Sequence, residues 1–187
     1  TTHSETSVPQ IHLVILDIEG TTTSISFVAD VLFPYIRSHL REHLTVNWNA
    51  AETQQDIQLL RELASQDANN NVAGAVRILD EHEDQEQVIN SVVSNVLWQM
   101  DQDRKFTALK NLQGHMWKSG YETKKLQGAV YPDVLNAFQQ WKAAQVPLYI
   151  YSSGSIAAQK LLFGFSEHGD LLGYLSGHFD TTIGSKL

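Results

Sequence analysis

Apolar residues recur at intervals of three and four along most of this chain, the period of helices buried on one side, and two short stretches break the rhythm. Ile11 to Leu16 is a near-continuous apolar run with β-branched residues, which suits a parallel strand covered on both faces. It stops at once in Asp17-Ile18-Glu19-Gly20. Val146 to Tyr151 repeats the pattern and ends in Ser152-Ser153-Gly154-Ser155. Two strands that both give way to small polar residues and glycine predict loops at the carboxyl edge of an open α/β sheet, where ligands bind.

The helical rhythm occupies the stretch between these strands. Phe27, Val31, Leu32, Tyr35, Ile36 and Leu40 share one face. Ile57, Leu60 and Leu63 follow, then Val88, Val92, Val93, Val96 and Leu97. Asn69 to Asn71 and the neighbourhood of Gly74 separate these segments. Phe106, Leu109, Leu112, Met116 and Trp117 predict one more helix, ended near Gly120. Residues 26–128 therefore read as a helical insertion, and residues 11–25 with 129–187 as the α/β core. Pro132 suits the first turn of a helix carrying Val134, Phe138 and Trp141, and a further helix is expected from Ile156 to Phe163. Trp98, Trp117 and Trp141 sit at helical spacings and are assigned to core packing.

Composition narrows the chemistry. The 187 residues include no cysteine, which excludes disulfides, thiolate metal sites and cysteine nucleophiles. With 13 Lys+Arg against 21 Asp+Glu the formal net charge is -8, which argues against a nucleic-acid-binding surface. A phosphorylated small molecule remains compatible, because a metal ion and a few local donors override global charge. No apolar run approaches the ~18 residues of a membrane span. Thr1 to Gln10 is polar and does not read as a signal peptide, so an intracellular protein is expected.

Asp17 and Glu19 stand two residues apart at the end of the first strand. One carboxylate can attack phosphorus in line to give an aspartyl-phosphate, while the other protonates the leaving oxygen and later deprotonates water. Two carboxylates alone repel a phosphate, so a hard cation is required, and Mg2+ fits an all-oxygen donor set. A bare Asp-x-Glu-Gly is more often a simple strand-to-helix turn. Ser152, Ser153 and Gly154 shift that balance, since hydroxyls and successive N–H groups ahead of a helix cradle a phosphate. Lys186 could neutralise the phosphate and the nucleophile together, although alone it reads as a surface lysine. His82, His115, His168 and His178 show no metal-ligand spacing and are expected to be structural or exposed.

In this order the motifs resemble the enolase-phosphatases of methionine salvage, the acireductone synthases of the haloacid dehalogenase superfamily. Asp17-Ile18-Glu19-Gly20-Thr21-Thr22-Thr23 resembles the superfamily's first motif, with Glu where most phosphatases have Asp. Phe27-Val28-Ala29-Asp30-Val31-Leu32-Phe33-Pro34-Tyr35, Leu109 to Trp117 and Tyr149 to Ser155 are family-like, and Gly177-His178-Phe179-Asp180 leads to Lys186 as the third-motif lysine. The resemblance implies a haloacid dehalogenase-like Rossmannoid parallel sheet with an inserted helical cap. It implies catalytic roles for Asp17 and Glu19, both also metal-binding, and substrate-binding roles for Ser152, Ser153 and Lys186. One Mg2+ per subunit is implied, and so are a monomer and a cytoplasmic, also nuclear, location. The implied reaction enolises 2,3-diketo-5-methylthiopentyl 1-phosphate and then removes its phosphate through an aspartyl-phosphate to give acireductone. Leu187 follows Lys186 directly, before the family's acidic fourth motif, so the core is expected to be incomplete and this exact chain to have reduced or no phosphatase activity. The alternative expectation is a truncated relic acting as a binding or interaction protein.

Overall fold

The computed structural model of the chain describes residues 10–185, and these divide into two compact units. One unit runs up to Phe27 and resumes at Gln127; the other is Val28–Leu126.

The first unit is built on three parallel strands in the order β1 (Val14–Leu16), β2 (Leu148–Tyr151) and β3 (Gly177–Phe179). Register pairs Leu16 with Ile150 and Tyr151 with Phe179. Alternation along the strands sends Val14, Leu16, Leu148, Ile150 and His178 to one face. Helices α6 (Pro132–Ala143) and α7 (Ile156–Gly164) supply the cover on that side, where Phe138 and Phe163 meet at 6.1 Å between ring centroids. Ile15, Tyr149, Tyr151 and Phe179 lie on the opposite face, where Tyr149 stacks on Phe179 and Ile15 remains 56% exposed. The expectation of a strand covered on both faces is therefore not met among the described residues: helices pack on one face only. β3 was not expected, because three residues are too few to display a period.

In the second unit α2 (Phe33–Val46), α3 (Ala51–Asn69), α4 (Gln85–Asp101) and α5 (Thr107–Glu122) converge on one core. Ile36, Leu40, Ile57, Leu60, Val88, Val92, Val96, Leu109, Leu112 and Met116 fill it, as their spacing predicted. Two local features depart from that prediction. The single helix expected to begin at Phe27 is broken into a turn, α1 (Ile25–Phe27), a π-helical turn, Val28–Leu32, and then α2. Pro34 sits in the first turn of α2, where it lacks the N–H an uninterrupted helix needs, and in such a helix its ring would clash with the carbonyl of Asp30, four residues back. The end of α5 at Glu122 lies near Gly120, as expected, but Gly120 itself is inside the helix and is not its stop. Its missing side chain instead makes room for the Tyr35 ring and Leu126.

Candidate active site

The site begins where β1 ends. Ile18 is buried, and its carbonyl accepts from the amides of Thr21, Thr22 and Thr23, folding the segment back on itself. Gly20 N–H donates to Thr23 O at 2.7 Å, and Gly20 takes φ +75°, a left-handed conformation that side-chain-bearing residues rarely adopt. Thr22 and Thr23 are buried. Thr22 Oγ1 donates back to Asp17 O, and Thr23 Oγ1 donates to Ala129 O. This closed turn leaves Asp17 half-buried, one oxygen accepting from Ile18 N–H at 2.7 Å, and Glu19 exposed.

Adjacent parallel strands bring a second loop to the same edge. Because Leu16 pairs with Ile150, the chain leaves β1 at Asp17 beside the point where it leaves β2 at Ser152. Ser152 is buried, its N–H donates to Phe179 O at 3.2 Å, and its Oγ accepts from Gly154 N–H. Ser153 is exposed. Ser155 caps α7 by accepting from Ala158 N–H, so the positive end of the helix dipole opens at this loop.

The loop after β3 joins the same edge. Asp180 Oδ2 accepts from Ile156 N–H at 3.3 Å, and its Oδ1 accepts from the amide and hydroxyl of Thr182. His178 on β3 is half-buried, and burial, followed by the charge of Lys160, holds its imidazole below the ordinary value. Lys186 lies outside the described residues.

The structure thus gathers at one sheet edge the acidic turn with Asp17 and Glu19 and the serine loop with Ser152 and Ser153. Sequence reasoning missed Gln159, which ties the serine loop to β3, and the anchoring role of Asp180. The available signal was weak: Gln159 shares the 156, 159, 163 face of α7, while the neighbouring Lys160 is exposed. Histidine 115 also has a partner that spacing could not reveal: its Nδ1 lies 2.7 Å from Oδ2 of the buried Asp56 in the helical unit.

A serine loop at a helix N-terminus beside a carboxylate turn, at the carboxyl edge of a parallel sheet, is an arrangement that can bind a phosphate. Residues 11–186 match the haloacid dehalogenase-like hydrolase family, and the chain belongs to it. Within that family it is similar to the enolase-phosphatase E1 of Dictyostelium discoideum, with 55% identity over 96% of this chain and 70% of that protein. The Salmo salar enolase-phosphatase E1 is 53% identical over 92% of this chain and 67% of its own length. Among solved structures, the UTR4 protein of Saccharomyces cerevisiae superposes with a TM-score of 0.68 at 28% identity, covering 92% of this chain and 68% of that one.

Proposed function

We propose that the chain is a magnesium-dependent enolase-phosphatase that converts 2,3-diketo-5-methylthiopentyl 1-phosphate to acireductone in methionine salvage. The observation that carries this reading is the convergence of the Asp17 turn and the Ser152 loop at the ends of paired strands. Identity above one half to an enolase-phosphatase E1 supports the particular substrate.

In this reading Asp17 is the nucleophile. A hydrogen bond from Ile18 N–H orients its carboxylate, which attacks phosphorus in line. Glu19 protonates the leaving oxygen and then activates the water that releases the aspartyl-phosphate. Ser152, Ser153 and the amides leading into α7 bind the phosphate oxygens, and Lys186 adds a positive charge. The carboxylates of Asp17 and Glu19 suit Mg2+, which commonly takes one or two carboxylates together with substrate phosphate. When bound, the ion offsets the charge of the phosphate and of oxygens that become anionic beside it. The helical unit Val28–Leu126 is assigned as the cap from its place in the chain between β1 and α6. No helix among the described residues is long and apolar enough to cross a membrane. The family resemblance is the support for reading the enzyme as a cytoplasmic monomer.

The test is phosphate release from the diketone phosphate with and without Mg2+. Release that needs Mg2+ and is abolished in Asp17→Asn is expected, with Glu19→Gln slowed by roughly a hundredfold or more. Release that survives Asp17→Asn would overturn the assignment. Binding of phosphate and Mg2+ without turnover would favour the binding-protein alternative.

A further inference from the structure

We propose that Gln159 is a positioning residue that sets the phosphate-binding loop Ser152 to Ser155 against β3. The proposal rests on the phosphate-site reading of that loop. Gln159 lies in the apolar helix α7 and is 1% exposed. A primary amide at such a place is costly unless its donors and acceptor are all engaged. Here they are. Nε2 donates to Gly154 O at 3.0 Å and to Phe179 O at 2.7 Å. Oε1 lies 3.3 Å from Nδ1 of His178, which donates to it in the tautomer protonated on Nδ1.

These partners belong to two segments that must keep a fixed relation for phosphate to bind. Gly154 is part of the serine loop; His178 and Phe179 form the end of β3, directly before Asp180. Phe179 O also accepts from Ser152 N–H, so one carbonyl joins both segments to Gln159. A trans peptide points its C=O and N–H in opposite directions. Holding Gly154 C=O toward the buried amide therefore directs the Ser155 N–H away from it, out of the α7 packing. An apolar side chain of equal volume would fill the same space and leave this peptide free to rotate. Asp180 provides a second tie between the segments, through Ile156 N–H.

Calorimetric titration of the full 187-residue chain with Mg2+ alone, and with orthophosphate in the presence of Mg2+, tests the proposal. Gln159→Met keeps side-chain length and removes the donors. It is expected to weaken orthophosphate binding roughly tenfold or more while leaving Mg2+ affinity unchanged. A merely structural role would lower both affinities together or neither, and either result overturns the proposal. Failure of the wild-type chain to bind orthophosphate would remove the phosphate-site reading and this inference with it, an outcome distinct from a wild type that binds and a variant that binds equally well. Should the variant not fold, the side-chain amide NMR signals of Gln159 in the wild-type chain are the second measure. They are expected to shift on saturation with orthophosphate, and unchanged signals overturn the proposal.

Discussion

Single positions show how the same residue type carries different duties. Gly20 is needed for its backbone conformation in the acidic turn, whereas Gly120 is needed for the volume it leaves empty inside α5. A Cβ at Gly120 would stand 2.8 Å from both Leu126 Cδ1 and Tyr35 Cζ. Helix propensity alone favours alanine over glycine by about 1 kcal/mol. Overpacking opposes it by about 1–3 kcal/mol, because the partly buried Tyr35 ring packs against the core and Leu126 is buried. Gly120→Ala is therefore expected to destabilise the chain despite the better helix former, and a lowered urea midpoint would register it. The paired serines divide in a similar way. Ser152 is buried and shapes its loop through Gly154 and Phe179, while Ser153 is exposed.

At the scale of elements, the junction of α4 with α5 depends on one cation. Arg104 makes a bidentate pair with Asp67 on α3, at 2.7 and 2.8 Å, and both side chains are nearly buried. Its guanidinium also lies over the rings of Trp98 and Phe106, 4.6 and 4.5 Å from their centroids. Removing one partner of such a pair strands a buried charge at a cost of about 3–5 kcal/mol. Arg104→Met should lose that much stability by urea unfolding, and the double substitution Arg104→Met with Asp67→Asn should lose less than the single one. This junction was not legible in the sequence, since Trp98 and Arg104 are joined by a contact that periodicity does not encode. The four helices were legible, because each buries a continuous stripe such as Ile36, Leu40 and Leu44. Their interruption was not: the π-helical turn ahead of Pro34 breaks a stripe that periodicity reads as continuous. The two loops of the candidate site could be read because apolar strands end abruptly in Asp17-Ile18-Glu19-Gly20 and Ser152-Ser153-Gly154. Gln159 could not, because a glutamine next to the exposed Lys160 reads as part of the solvent face of α7 until its partners on β3 are seen.

Across the whole molecule, titration couples both units to pH in the same direction. His43 in the helical unit and His178 in the sheet unit both have imidazoles held below their ordinary value, chiefly by burial. His115 lowers the first further while Glu52 opposes, and Lys160 lowers the second. His43 Nε2 is buried without a hydrogen-bond partner among the described residues, which makes a proton there unwelcome. For a group with a depressed folded value, the unfolded chain takes up its proton first. Stability contributed by the neutral histidines is thus complete above the ordinary imidazole value of about 6.5 and lost as pH falls through the lower folded values. Asp56 acts in the opposite sense: burial raises its carboxyl despite the hydrogen bond and charge of His115, so its neutral form favours folding toward acid pH. That opposing effect grows as pH falls through the raised folded value and is complete below the ordinary carboxylate value, so a histidine substitution, and not the wild-type curve alone, isolates the imidazole contribution. Thermal unfolding midpoints should be flat from pH 8 to about 7 and fall from about 6.5 to 5.5. His43→Leu, which removes the unpartnered buried nitrogen, should flatten part of that fall and leave the midpoint at pH 8 no lower. A variant with the same pH dependence as the wild type would show that His43 does not carry the coupling.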